Sequence, residues 1–230
     1  MASGSRGSRS ADKDVARRSA SIDRRAQIVE KAAELFDQAG YHATSMDDIA
    51  RAVGLAKPSL YHYFDSKDRI LLEVHEEFIS LLLGRQRQRA RDDGADMSQL
   101  LYEVMVDILD LMRTHRGHVR VFFEHHRELA PESRAGVLAG RDAYFSSVRR
   151  LFEVGRGRGE FDCDPQLSAM ALFGMCNWAY QWYDPKGRLT TEDVARYFHG
   201  VLMHGVAVAQ TPTTTPTARG VAPTARTARS

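Results

Sequence analysis

The chain has 230 residues, of which 43% are hydrophobic and 27% are charged, and its net charge at pH 7 is +2. This composition fits one or two folded domains with an apolar core and excludes a disordered or fibrous chain. Cys163 and Cys176 are too few for a disulfide framework or a four-cysteine zinc site, so a cytoplasmic, reducing location is expected. No stretch approaches the roughly 20 uninterrupted apolar residues of a membrane span, and residues 1–15 lack the apolar core of a secretion signal.

Both ends of the chain are basic, whereas its centre is acidic. Residues 1–21 and 210–230 each carry a net charge of +3, and residues 22–209 carry −4. The ends offer little to bury, so we expect a disordered basic arm over 1–21 and a disordered tail over 210–230. They are either plain solvated ends or sources of nonspecific attraction to a polyanion. Because the centre is acidic, bulk charge gives no argument for nucleic acid binding.

Apolar residues recur at intervals of three and four throughout the centre of the chain, and no run alternates at two. This pattern predicts an all-α protein. The first helix is predicted from Ile22 to Gly40, and two short helices follow it. Gly and Pro separate most of the later segments. Nine helices are predicted in all, the last six over 67–91, 97–115, 118–130, 132–154, 165–183 and 191–209.

Residues 44–64 predict two short helices joined by a tight turn. Ser45 can cap the amide of Asp48 in a capping box. Gly54 permits the bend, and Pro58 suits the first turn of the next helix. Two short helices supported by a third form the unit that places a recognition helix in the major groove of DNA.

The second short helix is apolar on one side only. Leu60 and Phe64 are four residues apart and point inward, which leaves polar and aromatic groups outside. Hydroxyls, a histidine ring and lysines near helix starts suit phosphate oxygens and base edges. The outward and flanking residues are Ser59, Tyr61, His62 and Tyr63. An ordinary helical hairpin with surface lysines explains the composition equally well.

The segment Leu60-Tyr61-His62-Tyr63-Phe64-Asp65-Ser66-Lys67 carries a resemblance. With the Ser45-started helix and the Gly54 turn, residues 22–67 resemble the DNA-binding domain of the TetR family of bacterial transcriptional regulators. The resemblance implies an N-terminal three-helix helix-turn-helix domain over 22–67 and a C-terminal helical ligand-binding and dimerisation domain over 68–209. It also implies backbone phosphate contacts by Thr44, Tyr61, Tyr63 and Lys67, and groove-facing positions for Ser45, Lys57, Pro58, Ser59 and His62.

A homodimer is expected from the last two predicted helices. The helix over 165–183 is apolar on nearly every side, whereas one packing contact covers an arc of roughly 100°. The second cover is expected to be another subunit, which with 191–209 would form a four-helix interface. Such a dimer would bind two half-sites of a near-palindromic operator. The alternative is a core helix buried within a monomer.

The resemblance further implies a small-molecule effector bound among the middle helices. The large residues expected there, each of which could instead belong to the core, are Met105, Leu109, Phe122, Tyr144, Phe173, Asn177, Trp178 and Trp182. Residues 177–190 are similar to a segment of the branch that represses fatty-acid, aromatic-acid and sterol breakdown and is released from DNA by acyl-CoA thioesters. An acyl-CoA effector is therefore implied, with some of Arg113, Arg116, Arg120, Arg141, Arg149 and Arg150 binding its phosphates. The alternative effector is a hydrophobic compound without CoA, such as a drug or antibiotic.

Other functions fit the sequence less well. His115, His118, His125 and His126 suggest a metal site, but polar pocket lining or helix surface explains their spacing equally. No phosphate-binding glycine loop, nucleophile elbow or zinc protease motif is present, so neither an enzyme nor a cofactor is expected. A helical enzyme and a protein-binding helical scaffold remain the alternatives to a ligand-gated DNA-binding repressor.

Overall fold

The computed structural model describes residues 6–89 and 95–206. These residues form nine α-helices and two short 3₁₀ helices, which confirms the predicted all-α fold. The α-helices are α1 Arg6–Ala39, α2 Met46–Ala52, α3 Lys57–Tyr61, α4 Lys67–Arg89, α5 Met97–Thr114, α6 Arg116–Glu124, α7 Pro131–Gly157, α8 Pro165–Trp178 and α9 Thr191–Val206. The 3₁₀ helices are His126–Glu128 and Ala179–Gln181. None of the described helices is both long enough and apolar enough to cross a bilayer.

The first helix is longer than the sequence pattern predicts. It begins at Arg6 rather than at Ile22, so the arm expected to be disordered over 1–21 is helical from Arg6 onward. Residues 8–21 contain no Gly or Pro and many Ala, Arg and Lys, which favour a helix without needing an apolar stripe. Ser19 and Ala20 are exposed, so apolar periodicity could not show this extension. The tail predicted over 210–230, like residues 207–209 of the last predicted helix, lies outside the described residues.

Local signals in the sequence account for α2 and α3. The Ser45 hydroxyl accepts from the Asp48 amide at 3.2 Å, and the Asp48 carboxylate accepts from the Ser45 amide at 3.0 Å, which completes the capping box. Gly54 has a φ of +67°, a value that favours glycine in this turn. Pro58 lies in the first turn of α3, where its missing N–H costs nothing. As predicted, Leu60 on α3 is fully buried.

Two helices connect the N-terminal unit to the rest of the molecule. Helix α4 begins beside the α1–α2 connection and continues among α5 and α7. Helix α6 crosses α1 closely, because a Cβ atom at Gly117 would lie only 2.9 Å from the backbone carbonyl of Ala33. Helix α5 is central to the larger domain and packs against α7, α8 and α9. Any movement of α4 or α6 therefore acts on the N-terminal unit directly.

Candidate DNA-binding face and effector cavity

The exposed side of α3 has the polar and aromatic character that the sequence predicts. Tyr61 is 45% exposed and His62 is also exposed, whereas Ser59 and Tyr63 are partly buried. Lys57, Pro58 and Ser45 are exposed as well. We call the surface formed by Lys57, Pro58, Ser59, Tyr61 and His62 the α3 face.

Two of the residues predicted to contact phosphates have structural partners within the chain. Thr44 is 3% exposed, and its hydroxyl donates to the Gly40 carbonyl at 2.9 Å. The Lys67 ammonium donates to the carbonyls of Tyr41 at 2.7 Å and Thr44 at 2.9 Å, and it lies 4.2 Å from the centre of the Tyr41 ring. Both side chains thus hold the connection between α1 and α2 in place. Their contacts span up to 26 residues of sequence, so no local pattern reveals them.

Positive charges near α3 are paired with acids. Lys57 Nζ lies 2.9 Å from Asp47 Oδ2, and this pairing raises the pKa of Lys57. Arg51 Nη1 lies 3.0 Å from Asp48 Oδ1. Hydrogen bonds from the Ser45 side chain and backbone lower the pKa of Asp48, so the acid is ionised at neutral pH. The α3 face therefore presents hydroxyl and ring groups, and its lysine is paired with an acid of α2.

An arginine that the sequence analysis missed fixes the end of the recognition segment. Arg25 on α1 donates to the Tyr63 carbonyl at 2.6 Å and to the Glu73 carboxylate at 2.7 Å. Its guanidinium also lies 4.0 Å from the centre of the Phe64 ring. Because Glu73 belongs to α4, one side chain joins α1, the end of the α3 segment and α4. The position of the α3 face is therefore tied to α4.

A cavity of about 490 Å³ lies among α4, α5, α6, α7 and α8. Most of its wall is apolar, and its large residues include Phe78, Phe122, Phe123, Phe145 and Phe173. Polar groups occur at a few positions, as is typical of small-molecule sites. They are His126, Arg134, Arg141, Asp142, Tyr144, Gln166 and Asn177.

The structure brings half of the predicted effector contacts to this cavity. Phe122, Tyr144, Phe173 and Asn177 line it. Met105 and Leu109 do not, because they are fully buried on other sides of α5, where Ile108 is the lining residue. Trp178 and Trp182 do not line it either, since they are 64% and 47% exposed at the surface. The periodicity of apolar residues identifies buried positions, but it cannot show which of these positions line a cavity.

The structure places only one of the arginines predicted to bind phosphates at the cavity. Of the six candidates only Arg141 lines the cavity, and Arg134, which was not among them, lines it too. Arg120 instead pairs with Asp37 on α1 at 3.1 Å, and Arg113 pairs with Asp110 at 2.7 Å. The spacing of arginines along a helix does not tell which ones face a cavity.

The last two α-helices and the segment that joins them expose several large apolar residues. Their inner sides are buried, as Leu172 and Cys176 on α8 and Val194 on α9 show. Their outer sides carry side chains that are between 47% and 71% exposed. We call this the α8–α9 surface, and its exposed residues are Leu167, Met170, Trp178, Trp182, Tyr197 and Val201.

The histidines proposed for a metal site have other neighbours. His118 Nε2 lies 3.5 Å from Glu77 Oε2, His126 Nδ1 lies 3.1 Å from the Phe123 carbonyl, and His115 Nδ1 lies 2.9 Å from the Thr114 hydroxyl. Within residues 6–89 and 95–206, no three His, Cys, Asp or Glu side chains are grouped to hold a metal ion.

These features define a class of protein, in which a helix-turn-helix unit is joined to a helical domain with a cavity. Residues 28–74 match the family model described as bacterial regulatory proteins, tetR family. Residues 94–206 match the model described as tetracyclin repressor-like, C-terminal domain. The chain therefore belongs to the TetR family of bacterial transcriptional regulators.

Individual relatives agree with this assignment. The chain is 28% identical over 187 residues to the HTH-type transcriptional repressor KstR2 of Rhodococcus jostii, covering 80% of this chain and 91% of the relative. It is similar to the crystal structure of AibR in complex with isovaleryl coenzyme A and operator DNA, with 30% identity, a TM-score of 0.68 and coverage of 77% and 98%. It is also similar to PfmR from Thermus thermophilus, with 31% identity, a TM-score of 0.72 and coverage of 77% and 97%. The chain is accordingly a DNA-binding regulator rather than an enzyme.

Proposed function

We propose that this regulator is a homodimeric repressor that an acyl-CoA thioester releases from a palindromic operator. The observation that carries the proposal is the apolar cavity, which has Arg134 and Arg141 in its wall. An acyl-CoA combines an apolar acyl chain with several phosphates. Its acyl group suits the phenylalanine-rich wall, and guanidinium groups bind phosphate oxygens in bidentate fashion. The volume of about 490 Å³ lies within the range of small-molecule sites.

The comparisons support this class of effector. AibR is similar to this chain over most of its length, and its crystal structure contains isovaleryl coenzyme A together with operator DNA. KstR2 is described as a repressor and as a ketosteroid transcriptional regulator. The structure of a protein that is similar to this chain over most of its length thus contains an acyl-CoA.

The α3 face is the surface proposed to contact the operator. Tyr61 and Tyr63 would contact phosphates, and Lys57, Ser59 and His62 would face the major groove together with Pro58 and Ser45. Thr44 and Lys67 would act through the connection that they hold, although Lys67 can still approach a phosphate. Two copies of the α3 face, joined through the α8–α9 surface, would bind half-sites about 34 to 36 Å apart.

Release from the operator is proposed to be a population shift. An effector weakens DNA binding only as far as it binds the released conformation more tightly. Helix α4 carries Phe78, Ile79 and Leu82 of the cavity wall and also, on the N-terminal side of Phe78, the Glu73 partner of Arg25. A change at the cavity is thereby linked to the position of the α3 face.

A binding experiment tests the effector class. The protein is bound to labelled DNA from its own upstream intergenic region, and straight-chain, branched, aromatic and steroid acyl-CoA thioesters are added one at a time. We expect one thioester class to release the DNA at micromolar concentration, whereas the matched free acids and CoA alone do not. Failure of the whole thioester panel would refute this effector class. Release by apolar drugs in the same assay would establish the alternative effector.

A further inference from the structure

We infer that Arg134 couples the cavity to the DNA-binding unit through the turn His126–Glu128 and the side chain of His42. The inference rests on the proposed role of the cavity as the effector site and names how occupancy of that site is communicated. This connection through the turn is separate from helix α4, which also joins the cavity to the DNA-binding unit.

Arg134 lies between the cavity and this turn. It is in the first turns of α7 and lines the cavity, and its Nη2 donates to the carbonyls of Arg127 at 2.7 Å and Leu129 at 2.9 Å. Its Nε is shielded from solvent and has no acceptor in the described part of the chain. Arg134 has no acidic partner within 4.0 Å among the described residues. The guanidinium thus has donor capacity and a positive charge to offer to an acceptor in the cavity.

The turn that Arg134 holds touches the DNA-binding unit. Glu128 lies between the two residues whose carbonyls accept from Arg134, and its Oε2 is 3.1 Å from His42 Nε2. His42 belongs to the connection between α1 and α2, next to Tyr41, whose ring centre is 6.2 Å from that of His125. This is the same connection that Lys67 holds through the carbonyls of Tyr41 and Thr44. The turn therefore contacts the segment from which α2 begins.

An effector oxygen that accepts from Nε would draw the guanidinium toward the cavity and away from the turn. A phosphate or thioester carbonyl oxygen in the cavity can accept from the guanidinium, and charged acceptors form the stronger hydrogen bonds. When Arg134 binds the effector, the carbonyls of Arg127 and Leu129 lose their donor and Glu128 loses its fixed position. A local change in hydrogen bonding and charge pairing of this kind can shift a protein from one conformation to another. Arg134 is thus a positioning residue, because it holds the turn His126–Glu128 in place in the DNA-bound form.

Operator affinity measured without effector tests this coupling. Arg134→Met removes the donors and keeps an unbranched side chain, and we expect it to weaken operator binding about fivefold or more, the lower end of typical coupling between sites. Arg134→Lys keeps one cationic donor and should restore part of the affinity. The matched control is Arg150→Met, which removes an exposed arginine of the same helix outside the cavity and should leave operator affinity unchanged.

A double mutant separates coupling from a general loss of stability. Glu128→Gln should weaken operator binding as well, and Arg134→Met combined with Glu128→Gln should be no weaker than the worse single variant, because both act through one contact. Circular dichroism and thermal unfolding establish that each variant is folded. If Arg134→Met does not fold, the comparison of Arg134→Lys and Glu128→Gln singly and together decides the question.

Two results would overturn the inference: wild-type operator affinity in the Arg134 variants, or losses that multiply in the double mutant. Neither measurement uses an effector, so failure of the thioester panel would refute the proposed effector class without affecting this result. Calorimetry of the releasing thioester adds a second criterion. Arg134→Met should bind it more weakly, whereas Glu128→Gln should bind it with wild-type affinity, and equal effects in both variants would contradict the assigned roles.

Discussion

Lys67 shows how a single side chain can have a role that its sequence context does not reveal. The resemblance places it on a phosphate, whereas the structure shows its ammonium bound to the carbonyls of Tyr41 and Thr44. A hydrogen bond from a charged donor contributes about 1.5 to 3 kcal/mol when buried, and partial exposure reduces that value. The residue therefore contributes to the folding of the N-terminal unit, in addition to the DNA contact proposed for it.

Replacing Lys67 should lower stability as well as operator affinity. We expect Lys67→Met to lower the free energy of unfolding by about 1 to 3 kcal/mol, because two backbone carbonyls lose a charged donor. Urea unfolding measures the effect, and Tyr61→Ala is the comparison. Tyr61 is 45% exposed, so its loss should weaken operator binding while changing unfolding by no more than about 0.5 kcal/mol. Wild-type stability of Lys67→Met would contradict the structural role.

His75 gives the folded state a dependence on pH. Its side chain is fully buried, Nδ1 lies 2.9 Å from the Leu71 carbonyl, and burial lowers its pKa from the usual 6.5 to about 4. Between these values the unfolded chain binds a proton that the folded chain does not. Stability should therefore be complete above about pH 6.5 and decline as the pH falls to about 4, by at most about 3 kcal/mol.

The variant His75→Met isolates this dependence. It keeps an apolar side chain of similar length in the core and removes the titrating group. We expect urea unfolding at pH 5 and pH 7.5 to give a smaller difference for the variant than for the wild type, because only the wild type carries the buried His75 imidazole. An identical difference in the two proteins would show that His75 does not cause it.

At the scale of the helices, most of the fold could be predicted because its signals are local. The capping box of Ser45 and Asp48, the turn at Gly54 and the placement of Pro58 each depend on neighbours within a few residues. The N-terminal extension of α1 escaped prediction because an exposed helix needs no apolar stripe. The cavity was only half predicted, since Met105 and Phe122 look alike in sequence and differ in what packs against them. Arg25 contacts Tyr63 and Glu73, 38 and 48 residues further along the chain, which only the tertiary fold brings near.

The contact between α6 and α1 requires glycine at position 117. A Cβ atom there would lie 2.9 Å from both the carbonyl carbon and oxygen of Ala33, and backbone atoms cannot rotate away. We expect Gly117→Ala to lower the free energy of unfolding by roughly 1 to 3 kcal/mol, as is usual for overpacked sites. Gly136→Ala is the control, because it lies within α7 with no atom within 4 Å. That replacement should stabilise the protein by roughly 0.5 to 1 kcal/mol in the same unfolding assay, since Ala favours helix.

An equal effect of the two glycine replacements would refute the steric argument. The opposite signs are the informative result, because both variants add the same methyl group to a helix. Since α6 also supplies Phe122 and Phe123 to the cavity, Gly117→Ala should additionally alter the operator affinity, and labelled-DNA binding measures that change.

For the whole molecule, the α8–α9 surface is the proposed dimer interface. We expect Tyr197→Asp combined with Val201→Asp to give monomers in analytical ultracentrifugation, because each introduced carboxylate would have to be buried without a partner. The monomer should bind the full operator far more weakly, since the second half-site is no longer held close to the first. Ala135→Asp, exposed on α7, should remain dimeric. A dimeric Tyr197→Asp and Val201→Asp protein would place the interface elsewhere.

The sequence contains only two tryptophans, and the structure places both on the α8–α9 surface. Indole emission shifts to shorter wavelength when the ring leaves water. The intrinsic fluorescence of the unlabelled protein would therefore report the association of subunits through the α8–α9 surface. Acrylamide, which quenches rings that it can reach, should quench dilute protein strongly and concentrated protein weakly. The dissociation constant of the subunits could then be obtained by dilution alone, with no dye attached near either binding site.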